Sequence, residues 1–551
     1  MSALLRVENL HTHVVLKDQT IKAVNGVSFS VAPGEIVGVA GESGSGKTLT
    51  GMSIIGLTQS PIKIISGNIQ LDGDDLRSAS PETLRKLRGQ KIAMVFQDPM
   101  MTLNPVLRID VQMMEMINAH EKVSKSEART RCVTALAKVG IPEPERRLHQ
   151  YPHELSGGMR QRVAIATAML LSPKLIIADE PTTALDVTVQ AQILKEMQAL
   201  CKENGTALIW ITHDLAVLAQ IADRIVIMYD GKIVETGTAK QILLKPKHTY
   251  TQSLLASLPK AAPDADKGKH IVTDSAPTLI KLTNVHKTFG KQSGLLGKFA
   301  QRLRLTTAPL ITDAVIDANI DIKRGEIFAL VGESGSGKST LGRLACGLLQ
   351  PTGGRVEYNG VESFRPKTQN AKQARLAVQM VFQDPQSSLN PRMRVLDIIG
   401  QAPLAHGLVS RANLEDYVSK QLERVGLDIS IKDRFPHEFS GGQRQRISIA
   451  RALAVNPKVL ILDEAIASLD VSIQAKILNL LAKLRNELEL TYIFISHDLG
   501  VVEHISDRVA VMQKGRIVET GPTREIFANP KHIYTQTLLN DVPRIDALNH
   551  I

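Results

Sequence analysis

The sequence predicts an α/β protein built from two tandem copies of one domain, each with a largely parallel sheet. Three observations predict it. Long motifs recur once along the 551 residues, at shifts of 284 to 291 positions. Within each copy, short apolar β-prone runs alternate with helix-length stretches, the pattern of strands joined by helical crossovers. Each copy also carries a glycine-rich turn between an apolar run and a helix. The repeat unit is far longer than the 20–50 residues of a solenoid module, so the copies are whole domains.

The first copy opens with a strand expected over Leu5 to Leu10. The apolar run Ile36 to Ala40 then leads into Gly41-Glu42-Ser43-Gly44-Ser45-Gly46-Lys47-Thr48, and a helix is expected from Leu49 to Leu57. Glycines allow successive backbone N–H groups to turn toward one anion, and a helix start adds partial positive charge. In such a loop the lysine reaches the outer phosphates and the hydroxyl ligates Mg²⁺. A plain strand-to-helix turn leaves the Lys47-Thr48 pair unexplained.

The second copy follows the same order. Its first strand is expected over Ile280 to Val285, and its loop is Gly332-Glu333-Ser334-Gly335-Ser336-Gly337-Lys338-Ser339. Val95-Phe96-Gln97-Asp98-Pro99 returns as Val381-Phe382-Gln383-Asp384-Pro385. Leu155-Ser156-Gly157-Gly158 returns as Phe439-Ser440-Gly441-Gly442, and Asp179-Glu180 as Asp463-Glu464. His213 matches His497, and His248 matches His532. Stretches 100–155 and 386–439 read as helical insertions. Small, charged and proline-bearing residues from Pro259 to Lys269 mark a linker. The expected domains are 1–258 and 278–551, joined by 259–277.

Composition narrows the class. No run approaches 18 apolar residues, and Met1 to Arg6 lacks the apolar core of a signal peptide. The chain is therefore expected to stay in the cytoplasm. Its three cysteines, Cys132, Cys201 and Cys346, form no metal-binding spacing, and no iron–sulfur cluster is expected. Net charge is +11 while aromatics are only 3%, which favours an anionic membrane surface over nucleic acid.

Asp179 and Asp463 each end an apolar run, where a carboxylate can hold Mg²⁺ through water. Glu180 and Glu464 follow and are placed to polarise an attacking water. Either pair alone reads as ordinary strand-end carboxylates; twice, downstream of a phosphate loop, they read as catalytic. Ser156-Gly157-Gly158 and Ser440-Gly441-Gly442 can cap a γ-phosphate with a hydroxyl and helix-start amides. On their own they read as plain helix N-caps.

Leu-Ser-Gly-Gly-x-x-Gln-Arg about 20 residues before Asp-Glu, followed by Ala184-Leu185-Asp186 or Ser468-Leu469-Asp470 and then a histidine, resembles the ATP-binding-cassette family. The resemblance covers nearly the whole chain, twice. It implies two tandem P-loop nucleotide-binding domains, each with a RecA-like parallel core, an antiparallel β subdomain and a helical subdomain. It implies ATP and Mg²⁺ as cofactors. One ATP would lie between the loop 41–48 and Ser440-Gly441-Gly442, the other between 332–339 and Ser156-Gly157-Gly158. Gln97 and Gln383 would sense Mg²⁺ and water, and His213 and His497 would contact the γ-phosphate. The metal ligands implied are Thr48, Gln97 and Asp179, and Ser339, Gln383 and Asp463.

Each half ends in a His-x-Tyr-Thr-Gln segment, at His248 to Gln252 and His532 to Gln536. Read from residues alone, this is an amphipathic helix with a polar lead-in. It is similar to the C-terminal extension of the oligopeptide, dipeptide and nickel importer subfamily, whose fused two-cassette members include the ATPase subunits of microcin C-type and glutathione importers. That resemblance implies an ATPase at the cytoplasmic face of the bacterial inner membrane, with two transmembrane permeases and, through them, an extracytoplasmic solute-binding protein. Peptide-like cargo leads; nickel chelates, opines and sugars stay open, as, more distantly, does a soluble twin-cassette ATPase on ribosome or DNA.

The halves differ in three places. Phe289, where the family stacks an aromatic on adenine, aligns with Val14, so His11 or His13 is left as a substitute. Ala465-Ile466-Ala467 stands where the first half has Pro181-Thr182-Thr183. The second half also carries an insertion over 291–311, basic and apolar, which suits either anionic lipid or a permease, or else an exposed hairpin. Two hydrolysis-capable but unequal sites are expected. A Ser440→Arg substitution should impair nucleotide retention at the loop of Lys47 and spare that of Lys338, measured by site-specific photolabelling with 8-azido-ATP.

Overall fold

The computed structural model describes residues 3–182, 185–257, 276–290, 312–362, 369–467 and 469–543. The expected linker lies almost wholly outside these residues, and so do the insertion 291–311, Ala184 and Ser468. The chain divides into two compact units: Met1–Leu258 with Asp470–Ser472 and Pro543–Ile551, and Pro259–Leu469 with Ile473–Val542.

In the first unit, β1 (Leu5–Val15), β2 (Thr20–Val31), β4 (Ile62–Leu71) and β5 (Asp74–Asp75) form an antiparallel sheet in the order β2-β1-β4-β5. The main sheet holds β3 (Ile36–Ala40), β6 (Ile92–Val95), β7 (Leu175–Asp179), β8 (Ala207–Ile211), β9 (Arg224–Tyr229) and β10 (Lys232–Thr238). Its order is β10-β9-β3-β8-β7-β6, parallel except for the β9–β10 hairpin. All residues of β3, β6, β7 and β8 are buried. That is why these strands read as unbroken apolar runs: helices or the second sheet cover both faces.

The second unit repeats this plan. β11 (Thr278–Phe289), β12 (Thr312–Lys323), β14 (Gly353–Tyr358) and β15 (Val361–Glu362) form the antiparallel sheet. β13 (Ile327–Val331), β16 (Val378–Val381), β17 (Val459–Asp463), β18 (Thr491–Ile495), β19 (Arg508–Gln513) and β20 (Arg516–Pro522) form the main sheet, in the order β16-β17-β18-β13-β19-β20. The helical insertions contain Ile109–His120 and Lys125–Lys138 in the first unit, and Val395–Ala405 and Leu414–Arg424 in the second.

Two expected boundaries shift for physical reasons. The helix after the first loop runs Lys47–Ile54 rather than 49–57. Gly56 stops it at φ +69°, and the Leu57 N–H turns back to the Met52 carbonyl at 2.8 Å. The opening strands extend beyond 10 and 285 because β1 pairs with β2 and β4, and β11 with β12 and β14, along almost their whole lengths. Cys132, Cys201 and Cys346 are buried thiols, and burial pushes each up to about 11. Among the described residues no helix is long and apolar enough to cross a membrane.

One buried ion pair distinguishes the units. Arg485 donates to the Asp507 carboxylate at 2.8 Å and to the Gly325 carbonyl at 2.9 Å, with only 8% of its side chain exposed. Asp507 also accepts the Ile327 N–H at 2.9 Å, which anchors the start of β13. In the first unit Asp223 makes the matching bond to Ile36 at 2.8 Å, but Cys201 stands where Arg485 would be. Removing one partner of a buried pair costs about 3–5 kcal/mol. Arg485→Ala should lower the unfolding midpoint of the second unit in circular dichroism. Trp210, the single tryptophan and fully buried in the first unit, should report an unchanged fluorescence transition.

Candidate functional site

Each loop forms because its glycines stand where no side chain fits. A Cβ on Gly41 would lie 2.2 Å from the Met228 carbonyl oxygen, and one on Gly46, at φ +95°, would lie 2.3 Å from that of Ala23. The second unit repeats this at Gly332, 2.1 Å from the Met512 oxygen, and Gly337, 2.2 Å from that of Ala314. Gly44 and Gly335 have open space around them and serve by their positive φ of about +80°. Ser43 and Ser334 are exposed at the loop tips, while Ser45 and Ser336 are buried beneath.

The lysines are folded inward. Lys47 Nζ donates to the carbonyls of Gly41 at 2.7 Å and Glu42 at 2.8 Å, and to Ser45 Oγ at 3.3 Å. Burial holds its ammonium below the usual lysine range, against the pull of Glu180 and Asp179. Lys338 Nζ repeats the bonds, to Gly332 at 2.7 Å and Glu333 at 2.8 Å. Ser336 Oγ is buried without a hydrogen-bond partner. A cramped loop with a partly desolvated ammonium in the first unit, and the same cramped loop with an orphaned hydroxyl in the second, each fit a bound polyphosphate.

The hydroxyl and carboxylate expected to hold Mg²⁺ meet in both units. Thr48 Oγ1 donates to Asp179 at 3.1 Å, and Ser339 Oγ to Asp463 at 2.8 Å. Burial pushes Asp179 up to about 6 and raises Asp463 as well. A cation beside these oxygens would reverse that cost, so the pair fits a hard divalent metal. Among the described residues no cluster of three or more His, Cys, Asp and Glu side chains forms a metal site.

The two glutamates sit at the ends of β7 and β17 with left-handed backbones, φ +46° at Glu180 and +47° at Glu464. Their N–H groups are held by the carbonyls of Ile211 at 2.8 Å and Ile495 at 2.9 Å, which extend the sheet past the turn. Gln97 Nε2 donates to one Glu180 oxygen at 2.9 Å, and His213 Nδ1 lies 2.9 Å from the other. In the second unit Gln383 Nε2 lies 2.7 Å and His497 Nδ1 3.3 Å from the same oxygen of Glu464. Burial works against the charge on both histidines, but the adjacent carboxylates outweigh it and raise them. Burial likewise opposes charge on Glu464, yet His497 and Lys338 bring it below the usual glutamate range.

Ser156 and Ser440 are exposed at their helix starts, and each hydroxyl accepts an N–H of its own helix, from Met159 at 3.3 Å and Gln443 at 3.4 Å. Gly157 has open space around it, and a Cβ on Gly158 would lie 3.4 Å from Val189 and 3.6 Å from Leu185. A Cβ on Gly441 would lie 3.5 Å from Leu469, and one on Gly442 would strike Ile473 at 2.6 Å. Among the described residues, no hydrogen bond joins either Ser-Gly-Gly segment to the phosphate loop of its own unit. Phe289 is 42% exposed at the end of β11, with Lys287 Nζ 5.2 Å from its ring centre. Its counterpart Val14 is half-buried; His11 is engaged by Asn9 at 3.1 Å, and His13 is half-buried with an unpartnered Nε2.

Two contacts had no sequence signal beyond the His-x-Tyr-Thr-Gln repeat. Tyr250 and Tyr534 each reach a phosphate loop, accepting the N–H groups of Glu42 and Glu333. A tyrosine two residues after a histidine on a short helix reads as core packing until its hydroxyl is located.

The ABC transporter family model matches residues 24–183 and 315–467. The model described as the oligopeptide/dipeptide transporter C-terminal region matches 234–291 and 518–550. The chain is 44% identical over 574 residues to the glutathione import ATP-binding protein GsiA of Escherichia coli (strain K12), spanning 98% of this chain and 89% of that protein. It is also 44% identical over 547 residues to the peptidoglycan transport ATP-binding protein YejF of Agrobacterium fabrum, spanning 99% and 97%. A solved dimeric ATP-binding cassette with ADP and Pi is 30% identical over 43% of this chain and 98% of its own, with a TM-score of 0.40.

Proposed function

The chain belongs to the ATP-binding-cassette transporter family, as an importer ATPase for peptide-like solutes, and from that premise we propose how its residues divide the work. Lys47 and Lys338, with the loop amides, hold the β- and γ-phosphates. Thr48, Asp179 and Gln97, and Ser339, Asp463 and Gln383, would hold Mg²⁺. Bound Mg²⁺-ATP supplies a γ-phosphoryl group whose charge the metal and lysine offset. Glu180 and Glu464 orient and deprotonate the attacking water, and His213 and His497 steer those carboxylates and meet the γ-phosphate. Ser156-Gly157-Gly158 and Ser440-Gly441-Gly442 serve as γ-phosphate caps, and Phe289 stacks on adenine in the second set.

We further assign two membrane permeases as partners, an extracytoplasmic solute-binding protein working through them, and a peripheral position on the inner face of the membrane. The relatives' names refer to glutathione import and peptidoglycan transport, which supports short or modified peptides as cargo. One observation carries the reading. A full set of loop, paired carboxylates and imidazole occurs in each half, and each is followed by a match to the oligopeptide/dipeptide C-terminal region.

The glutamate settings differ, since Gln97 and His213 take separate oxygens of Glu180 while Gln383 and His497 share one of Glu464. Glu180→Gln and Glu464→Gln should therefore reduce ATP turnover unequally, and the double substitution by about 10²-fold or more. Cells carrying only the doubly substituted chain should lose ATP-driven uptake of labelled short peptides. Normal uptake, or sedimentation of the chain with ribosomes in place of membranes, would contradict the reading.

A further inference from the structure

The C-terminal segment of each unit is wired to its phosphate loop. Tyr250, 208 residues beyond Glu42, accepts the Glu42 N–H on its phenol oxygen at 3.0 Å. Tyr534 does the same for Glu333 at 3.0 Å across 201 residues. A short relay aims each tyrosine. The two oxygens of Glu235, on β10, accept the N–H groups of Lys247 at 2.7 Å and His248 at 3.1 Å. His248 Nδ1 then accepts the Tyr250 N–H at 3.2 Å. In the second unit Glu519 holds Lys531 at 2.8 Å and His532 at 3.1 Å, and His532 Nδ1 takes the Tyr534 N–H at 3.2 Å.

This bond lands where the loop needs it. Glu42 is the second residue of the loop, and its two backbone groups are held by different partners: the N–H by Tyr250 and the carbonyl by Lys47. An arriving phosphate competes for the Lys47 ammonium, which has only three protons to give. As the lysine turns outward, the carbonyl bonds at Gly41 and Glu42 weaken. The tyrosine bond does not compete with phosphate and keeps the peptide in place. Burial pushes the Tyr250 phenol up to about 12, so it stays neutral and this restraint is constant at working pH.

We propose that Tyr250 and Tyr534 are positioning residues for the nucleotide: each pins the first peptide of its phosphate loop and so makes ATP affinity depend on the docked C-terminal segment. The proposal rests on the reading that these loops bind ATP. The segments are anchored independently of the hydroxyls, since Leu254, and Leu538 with Leu539, lie in the hydrophobic cores. The Tyr250 ring also lies 4.3 Å from that of Tyr229, a contact the second unit lacks because Gln513 stands there. Tyr→Phe therefore removes the hydroxyl while leaving the ring packed.

The test uses the full-length chain and its doubly substituted Tyr250→Phe/Tyr534→Phe form, well below the melting temperature, with Mg²⁺-ATP as the probe. Losing one net hydrogen bond per site should weaken ATP binding about 3- to 10-fold, with turnover at saturating ATP within about twofold of the parent chain. Glu235→Gln/Glu519→Gln, which loosens the relay but keeps both hydroxyls, should shift affinity the same way by less. Unchanged ATP affinity in the Tyr→Phe chain, whatever its melting temperature, overturns the proposal and leaves the tyrosines as packing. If instead the parent chain binds ATP no better than a Lys47→Ala/Lys338→Ala chain, the ATP-site reading itself fails.

Discussion

Glu180 and Glu464 are held in a backbone region that side chains other than glycine occupy at a cost of about 1–2 kcal/mol. Each follows the last residue of a buried parallel strand, and the neighbouring strand catches its N–H just past the sheet. Left-handed geometry swings the carboxylate out of the line of the strand, where a glutamine from the edge strand and a histidine from the next strand close on it. The rigidity that tolerates this strain comes from the parallel core. Strands buried on both faces cannot relax the turn without exposing apolar surface.

The phosphate loop depends on the same core. It leaves β3 or β13, the strands flanked on both sides, and its glycines press against carbonyls of the adjacent strand and of the antiparallel sheet. Loop, aspartate and glutamate thus project from the carboxyl ends of interior strands of one sheet. In each unit this brings together residues more than 120 positions apart, such as Thr48 with Asp179 and Ser339 with Asp463. The duplication is close but not complete. Arg485, Phe289 and the shared oxygen of Glu464 give the second unit a different balance of charge and contacts from the first.

Much of this was legible in the sequence, because the chemistry-bearing residues cluster in short motifs and occur twice. The strands beside them were legible as apolar runs for the reason that hides other features: a fully buried strand needs no alternation. The antiparallel strands β2, β4 and β12 mix exposed and buried positions and are interrupted by bulges, so residue pattern alone gave only their first members. The positive φ of Glu180 and Glu464 was not legible, since nothing local demands it; tertiary pairing imposes it. Nor were the tyrosine contacts, which join positions 200 residues apart through a hydroxyl that a hydrophobic-periodicity argument ignores.

We propose that one chain carries two nucleotide sites. Native mass spectrometry of the Glu180→Gln/Glu464→Gln chain, equilibrated with Mg²⁺ and ATP, tests it most directly. Two nucleotides should be retained per chain at saturation. Saturation at one, or no retention, would contradict it.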